Sequence, residues 1–286
     1  MKHVSVVLAV FNEEKNLEAC LTSIKHITDD IVIVDGSSTD NTVAIAKEFD
    51  AHIVVTDNPP IFHINKQKAI DMAKHDWILQ LDADERVSPE LAEEIMRITA
   101  MSDEEIEAYQ EKLPKKKLFL RHQSLLEERD GQIGTNNGHY AAFFIPRLNY
   151  FLGKYLRHGG VYPDGVIRLI RNGKAYLPCK DVHEQMVVEG RVGWLVHDLY
   201  HIDSPTFNRY LQRNKRYINL IAADIRKKNL QKDPAAAARH IFYLPVWWFV
   251  ITYIRHKGFM DGWPGFVFSL FSALRFPRAY IQALRT

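Results

Sequence analysis

The sequence predicts an α/β fold in which helices cover a mostly parallel β-sheet, and two observations support this. Apolar, β-branched runs alternate with segments whose apolar residues recur at helical spacing through the first third of the chain. These runs are almost continuously apolar, as strands are when helices bury both faces of a parallel sheet. With 286 residues, 47% of them hydrophobic, the chain can bury one sizeable core.

Each predicted strand leads into a predicted helix. The strands are predicted at 4–10, 31–34, 52–57 and 77–82. The helices are predicted at 12–24, 41–49 and 66–74, with a fourth after Pro89. Acids near the start of the first helix, and a cap from Asp40 or Thr39 at the second, are typical of helix N-termini. Ligands bind beyond the carboxyl ends of the strands in such sheets, so polar residues that follow strands are candidates for a site.

The chain beyond residue 100 contains three further kinds of segment. Residues 102–117 are highly charged and predict a solvated helix and turn. Residues 143–184 are rich in Gly, Pro, Tyr and Arg, which favours strands joined by loops that close over a site. A long basic helix is predicted at 200–228. The predicted domains are one α/β domain at 1–230, with halves at 1–100 and 101–230, and a helical region at 231–286.

The helical region at 231–286 combines apolar, aromatic and basic residues. "IFYLPVWWFVITYI" at 241–254 contains Pro245 and is shorter than the roughly 20 residues of a bilayer span. Trp and Tyr beside basic groups predict a helix pair that rests in a membrane interface and holds anionic headgroups. A re-entrant hairpin and a buried helical hairpin in an ordinary core are the alternatives. The basic residues that bracket the apolar blocks are Arg239, His240, Arg255, His256, Lys257, Arg275 and Arg278.

Composition indicates the cellular compartment of the chain and bears on whether it binds nucleic acid. The only two cysteines, Cys20 and Cys179, have no metal-ligand spacing, which favours a reducing cytoplasmic setting. The apolar run near Met1 is too short for a signal peptide and leads into acids. A net charge of +2 gives no general argument for a nucleic-acid partner, so we expect none.

The first candidate ligand residue is Asp35, which ends the strand in "IVIVDGSSTDNT". A carboxylate there can accept hydrogen bonds from a nucleobase or a ribose, while Gly36 and Ser37 let the backbone approach closely. An Asx turn that caps the next helix is the alternative.

A second acidic group follows the strand at 77–82. Asp82, Asp84 and Glu85 lie within four residues, where their mutual repulsion is unfavourable without a cation. Mg²⁺ or Mn²⁺ takes oxygen ligands and leaves coordination positions for substrate phosphates. The cluster therefore predicts a site for a metal and a nucleoside diphosphate. Solvated acids at the start of a helix are the alternative.

Three stretches resemble the successive nucleotide-binding motifs of glycosyltransferase family 2, whose GT-A fold has a Rossmann-like sheet. They are "VSVVLAVFNEEKNLEACLTSI", "IVIVDGSSTDNT" and "DWILQLDADE". Further on, "GKYLRHGGVYPDGVIRLIRNGKA" followed by "VHE" resembles the branch that includes bacterial lipopolysaccharide-core β-glucosyltransferases. The resemblance assigns nucleotide-sugar binding to residues 1–100 and acceptor binding to 101–230.

The resemblance implies an inverting, metal-dependent transfer of one sugar, with a UDP-hexose as the expected donor. The expected acceptor is a glycolipid or lipopolysaccharide-type glycan. The expected place is the cytoplasmic face of the bacterial inner membrane, with the chain peripheral or monotopic at that membrane surface. "QRNKRY" departs from the Gln-x-x-Arg-Trp motif of processive relatives, which favours a single transfer.

The resemblance also implies roles for residues of the donor site. Asp35 would face the nucleobase, Asp82 the ribose or diphosphate, and Asp84, with Asp82, the Mg²⁺ or Mn²⁺ ion. Lys66 would neutralise the diphosphate, although an exposed helix lysine is an equal alternative. The expected nucleotide contacts are Asn12, Glu13, Asp35, Ser37, Lys66 and Asp82.

An inverting displacement needs a base that removes the proton of the acceptor hydroxyl. By resemblance the base is Glu184 in "DVHEQM", with Asp181 as the alternative. His183 could orient the base or contact a phosphate. Arg157, His158 and Arg168 could bind an anionic acceptor, since Arg suits bidentate phosphate recognition, and simple loop packing is the alternative for them.

Two other function classes are possible from the residues alone. A nucleotidyltransferase also places acids and a metal at strand ends, but "AVFNEEKN" lacks the Gly-rich phosphate loop expected after the first strand. A non-catalytic nucleotide-binding module on a membrane surface is the second alternative. Nucleoside diphosphate as a product indicates glycosyl transfer, and pyrophosphate indicates nucleotidyl transfer.

Overall fold

A computed structural model describes residues 4–180, 185–231 and 233–285. The strands are β1 Val4–Val10, β2 Asp30–Asp35, β3 His52–Val55, β4 Trp77–Leu81, β5 Glu85–Val87, β6 Tyr140–Phe151, β7 Lys154–Tyr155, β8 Asp164–Arg171, β9 Ala175–Tyr176, β10 Val187–Val188, β11 Arg191–Trp194 and β12 Leu199–Ser204.

The α-helices are α1 Leu17–Ile24, α2 Thr42–Glu48, α3 His63–Asp71, α4 Pro89–Thr99, α5 Asp103–Glu111, α6 Lys116–Asp130, α7 Phe207–Lys227, α8 Pro234–Ala238, α9 Leu244–Phe249, α10 Gly262–Ala273 and α11 Arg275–Leu284. Two π-helical turns flank α9, at Arg239–Tyr243 and Val250–Arg255, and a 3₁₀ turn follows at Gly258–Asp261. None of the described helices combines the length and the apolar character needed to cross a bilayer.

The chain forms two compact units. The first contains Met1–Arg147 and Pro163–His201, and the second contains Leu148–Tyr162 and Ile202–Thr286. This division differs from a boundary at residue 230, because it places α7 with the helices that follow. The reason is a shared core in which Ile218 and Ala222 of α7 cluster with Ala279 and Ala283 of α11.

The main sheet has the order β3-β2-β1-β4-β8-β6-β12-β5. The α/β class predicted from the sequence is confirmed, but the sheet is mixed. Strands β1 to β4 are mutually parallel where they pair, whereas β8 is antiparallel to both β4 and β6, and β12 is antiparallel to β5. The regular strand–helix alternation that predicts parallel pairing stops after β4, and β6 and β8 pair antiparallel with no helix between them in the chain.

Both faces of β1, β2 and β4 are buried, which explains their continuous apolar sequence. In β1, Val6 and Leu8 pack into a cluster with α1 and α4, while Val7, between them, packs into a second cluster with α3. This second cluster includes Phe144, whose ring stacks 4.7 Å from the ring of Trp194. The alternation follows from the two-residue repeat of a strand.

Three predicted helices begin two or more residues away from the expected start. The helix predicted at 12–24 is α1, which begins five residues later at Leu17. The helix predicted at 66–74 is α3, which starts three residues earlier at His63. The helix predicted from residue 200 begins at Phe207, where the side chain of Thr206 accepts a hydrogen bond from the backbone N–H of Arg209. The residues before it form β12, because they pair with β5 in a register that sets His201 opposite Glu85.

A buried carboxylate fixes the start of β2. Asp30 Oδ2 accepts hydrogen bonds from Ser5 Oγ at 2.6 Å and from the backbone N–H of Lys74 at 3.1 Å. Lys74 Nζ lies 3.3 Å from the other oxygen. Burial alone would raise the pKa of Asp30, but the contacts with Ser5 and Lys74 hold this pKa below its usual value. The carboxylate therefore ties β1, β2 and the chain after α3 together.

We predict that Asp30→Asn lowers the free energy of unfolding at neutral pH by about 1–3 kcal/mol, because charged hydrogen bonds are lost. A carboxyl with a lowered folded pKa stabilises the protein above its unfolded pKa of about 3.9, and this stabilisation is lost as the pH falls through the folded pKa. The difference from wild type should therefore shrink in acid when urea unfolding is followed at several pH values.

The matched control is Asp50→Asn, since Asp50 is exposed and its positive φ of 54° suits Asn. This variant should stay within about 0.5 kcal/mol of wild type. A loss for Asp30→Asn that is the same at every pH would contradict an electrostatic role for Asp30.

Candidate active site

A cavity of about 300 Å³ lies beyond the carboxyl ends of β1 and β4 in the first unit. This is the position at which α/β sheets bind ligands. Two of the segments that line it, at 9–13 and 82–84, belong to the first and third predicted motifs, a third segment at 58–66 lies between the second and third motifs, and β12 adds one residue. The lining residues are Ala9, Val10, Phe11, Glu13, Asn58, Phe62, Asn65, Lys66, Asp82, Ala83, Asp84 and His201.

The loop after β1 is fastened to the loop after β2. Asn12 has a φ of 54°, and its backbone N–H donates to Ser38 Oγ at 2.8 Å. Its side-chain Oδ1 accepts from the backbone N–H of Thr39 at 2.8 Å. The backbone N–H of Glu13 donates to Thr42 Oγ1 at 2.8 Å. Glu13 lines the cavity, whereas Asn12 holds the loop that presents it.

Asp35 and Ser37 shape the turn after β2. Asp35 is buried, and its carboxylate accepts hydrogen bonds from the backbone N–H of Ser38, at 2.8 Å, and from Ser38 Oγ. Ser37 has a φ of 64° and donates from Oγ to the carbonyl of Thr56 at 2.9 Å. Neither residue belongs to the cavity lining. The nucleobase contact of Asp35 and the nucleotide contact of Ser37 stay predictions.

Asp82 lies between two cations. Lys66, buried in α3, forms an ion pair with Asp82 Oδ1, and Arg168 Nη2 lies 2.6 Å from Asp82 Oδ2. Burial alone would raise the pKa of Asp82, but Arg168 and Lys66 hold this pKa well below its usual value. Burial lowers the pKa of Lys66. Lys66 is therefore a cavity residue rather than an exposed helix lysine, which is the alternative that the sequence left open.

Arg168 of β8 links Asp82 to a fully buried carboxylate. Its Nη2 lies 2.9 Å from Glu85 Oε1, and Glu85 Oε2 accepts from the backbone N–H of Asp82 at 3.0 Å. Arg147 lies 3.3 Å from Glu85 Oε1 and 2.8 Å from Asp164 Oδ2. Arg168 is thus placed among the acids after β4, and its contact with an acceptor stays a prediction.

Asp84 has a different partner, His201 of β12. His201 Nε2 lies 3.4 Å from Asp84 Oδ2, and both side chains line the cavity. Burial alone would raise the pKa of Asp84, but the hydrogen bond and charge of His201 lower it. The local sequence around His201 gives no signal of a site. The pairing of β12 with β5 is what brings it to Asp84.

The donor set around Asp84 suits a divalent cation with few protein ligands. An imidazole and a carboxylate are ligands of Mn²⁺-type ions, and Mg²⁺ usually keeps water and phosphate oxygens as its other ligands. Within the described part of the chain, no three His, Cys, Asp or Glu side chains form a complete metal cluster. Asp82 is the second predicted metal ligand. Its Oδ1 forms an ion pair with Lys66 and its Oδ2 forms one with Arg168.

Asn65 is a cavity residue that the sequence reasoning did not select. It is buried, and its Nδ2 donates to the carbonyl of Asp57 at 2.9 Å. Among the described residues, its Oδ1 has no hydrogen-bond partner. A buried acceptor without a partner is unfavourable, and a donor from a bound ligand would satisfy it. The sequence analysis selected its neighbour Lys66, but no pattern in the sequence pointed to Asn65 itself.

The remaining predicted residues lie elsewhere. Arg157 and His158 belong to the second unit. There, their backbone N–H groups donate to Asp261 Oδ2 at 3.0 and 2.8 Å, and His158 Nδ1 lies 2.9 Å from Asp261 Oδ1. This is a structural tie, and their contact with an acceptor stays a prediction. Asp181, His183 and Glu184 lie outside the described residues.

Comparisons with known proteins identify the class of enzyme. Residues 5–144 match the model of the family Glycosyl transferase family 2. A relative named an uncharacterized glycosyltransferase in Rickettsia typhi is 28% identical over 281 residues, which cover 97% of this chain and 86% of that protein. The lipopolysaccharide core biosynthesis glycosyltransferase LpsC of Rhizobium meliloti is 23% identical over 95% of this chain and 91% of its own length.

A solved structure, glucosyl-3-phosphoglycerate synthase of Mycobacterium tuberculosis with Mn²⁺ and UDP-glucose, shares 24% identity over 30% of this chain and 34% of its own, with a TM-score of 0.27. The family match and the relatives identify the protein as a glycosyltransferase. Residues 5–144 form a domain of glycosyl transferase family 2, and the mixed sheet with its flanking helices resembles the GT-A fold. The nucleotidyltransferase alternative is therefore not retained.

We predict that Arg168→Met lowers the free energy of unfolding by about 3–5 kcal/mol, because Asp82 and Glu85 lose a buried partner. The double variant Arg168→Met with Glu85→Gln should lose less free energy of unfolding than the sum of the two single variants. The reason is that it also removes one of the two carboxylate charges that Arg168→Met leaves without a partner. Urea unfolding of the four proteins of this cycle measures the coupling. Strict additivity would contradict a shared ion network.

Proposed function

We propose that the chain is an inverting, divalent-metal-dependent glycosyltransferase that moves one hexose from a UDP-hexose to a lipid-linked or lipopolysaccharide-type glycan. The family supports glycosyl transfer from a nucleotide sugar. The relative named for lipopolysaccharide core biosynthesis, which aligns over nearly the whole chain, supports this class of acceptor. The reaction would take place at the cytoplasmic face of the bacterial inner membrane.

The observation that carries the proposal is the cavity beyond β1 and β4. Glu13, Lys66, Asp84 and His201 all line it. One cavity therefore contains a cation for the diphosphate, Lys66, and two possible metal ligands, Asp84 and His201. In an inverting displacement the leaving group is an anionic diphosphate, and a positive environment stabilises the charge that develops on it.

The donor would be held by groups with separate tasks. Lys66 would contact the diphosphate. Asn65 Oδ1, which lacks a partner among the described residues, would accept a hydrogen bond from the nucleobase or ribose, and Asp35 would support the nucleobase from the turn after β2. Asp84 and His201 would hold the metal ion, which when bound supplies charge stabilisation to the leaving diphosphate.

The acceptor hydroxyl would lose its proton to Glu184, with Asp181 as the alternative base. A carboxylate can take this proton as the new bond forms on the face opposite the diphosphate. The base and the metal-binding pair therefore act on different atoms. Substitution of the base should affect transfer and leave donor binding intact, whereas substitution of Asp84 should affect both.

We predict that Asp84→Asn and His201→Ala each reduce transfer by at least about tenfold, because loss of a group that only supports a metal ligand already costs about ten- to a hundredfold. Release of UDP from UDP-glucose in the presence of a membrane extract and Mn²⁺ measures it. Asp71→Asn, an exposed carboxylate on α3, is the matched control and should retain activity. Full wild-type activity in excess chelator would contradict metal dependence.

We predict that Glu184→Gln abolishes transfer but leaves the dissociation constant for UDP unchanged in calorimetric titration. Asp181→Asn should retain turnover if Glu184 is the base. The reverse result, with Asp181→Asn inactive and Glu184→Gln active, would assign the base to Asp181. Weakened UDP binding in Glu184→Gln would contradict a role confined to the acceptor side.

A further inference from the structure

The second unit exposes an apolar face on the helical run from α8 to the second π-helical turn. Phe242 is 70% exposed, Val246 65% and Trp247 46%. Monomeric proteins rarely leave such neighbouring large apolar side chains in water without a binding role. We call this surface the docking face, and its residues, which border a groove of about 530 Å³, are Ala238, Arg239, Phe242, Tyr243, Val246, Trp247 and Val250.

The opposite side of the same run is anchored inside the second unit. Ala236 and Thr252 are buried, and His240 is buried with its ring stacked on Tyr280 at a centroid distance of 5.6 Å. The exposed residues recur three to four positions apart, which places them on one side of a helix. The docking face is therefore a fixed surface of a folded helix.

The 3₁₀ turn at Gly258–Asp261 and the start of α10 add further exposed apolar side chains. Phe259 is 51% exposed, Met260 52% and Trp263 70%. Three of the five tryptophans of the chain, Trp247, Trp248 and Trp263, are thus partly or largely exposed within one short stretch. Aromatic rings with a polar edge are favoured at the boundary between lipid and water.

The charge of this region has one sign. Arg239, Arg255 and Lys257 are exposed, and none of the three forms an ion pair among the described residues. Asp261 is the only acidic residue between positions 239 and 285 of the sequence. It is 2% exposed and accepts hydrogen bonds from Arg157 and His158. The exposed charged side chains of residues 239–285 are therefore all basic.

We propose that the docking face binds the interface of an anionic lipid bilayer. The apolar and aromatic side chains would enter the boundary between headgroups and acyl chains, and the basic side chains would contact the phosphates of the headgroups. A second copy of the chain is less suited to this surface, because a symmetric dimer would bring the same basic side chains, Arg239, Arg255 and Lys257, towards one another. The inference stands on the second unit alone and does not depend on the donor cavity.

Tryptophan fluorescence of the full wild-type chain tests the proposal directly. Trp77 and Trp194 are buried, so Trp247, Trp248 and Trp263 are the tryptophans accessible to a quencher. Vesicles of phosphatidylglycerol mixed with brominated phosphatidylcholine should quench part of the emission and protect it from aqueous iodide. Vesicles of brominated phosphatidylcholine alone should quench it much less.

Flotation with the same vesicles, without bromine, tests the residues. Phe242→Ser with Trp247→Ser, and separately Arg255→Glu with Lys257→Glu, should each weaken binding at least about tenfold, since buried apolar area and each basic group near the surface contribute. The matched control is Leu125→Ser with Arg121→Glu, an exposed apolar and an exposed basic residue of α6 in the first unit. It should bind like wild type.

Four results would overturn the proposal. They are the absence of vesicle binding by wild type, equal binding to neutral and anionic vesicles, unchanged binding of both test variants, and a wild-type dimer that Phe242→Ser with Trp247→Ser dissociates. The last would show that a second copy covers the docking face. The quenching experiment uses the wild-type chain. It can therefore still refute the proposal if one of the variants fails to fold.

Discussion

A half-buried carboxylate between two cations holds the candidate site together. Asp82 follows β4, Lys66 belongs to α3 and Arg168 to β8, so one ion network joins three elements that are distant in sequence. Burying charges is costly, and it is tolerated only when each charge has partners with good geometry. Glu85 and Arg147 extend the network inward and supply these partners.

This arrangement separates two functions that adjacent acids could have shared. Asp82 is neutralised by protein cations, which leaves Asp84, two residues along, to pair with His201 at the cavity. The cation of Lys66 is held beside Asp82 before any ligand arrives, so little reorganisation is needed for an anion to be stabilised there. The proposed chemistry depends on this ion network being fixed while Asp84 and His201 stay accessible at the cavity.

Much of this architecture follows from the sequence, and the exceptions have a common cause. The strand–helix alternation through β4 and the acids after β2 and β4 are local patterns, and local patterns predicted them. The positions of Arg168 and His201 depend on the pairing of β8 with β4 and of β12 with β5, which are distant in sequence. The role of Asn65 depends on its Oδ1 having no hydrogen-bond partner among the described residues, which the sequence does not show. The start of α7 was misplaced for the same reason, because the pairing of β12 with β5 overrides the helical spacing of residues 200–206.

Diffraction from crystals grown with UDP and Mn²⁺ measures most directly whether the cavity beyond β1 and β4 is the donor site. The expected result is UDP in this cavity, its diphosphate beside Lys66, and an anomalous Mn²⁺ peak in contact with Asp84 and His201. UDP bound outside the residues that line the cavity, or a Mn²⁺ peak away from both Asp84 and His201, would contradict the assignment.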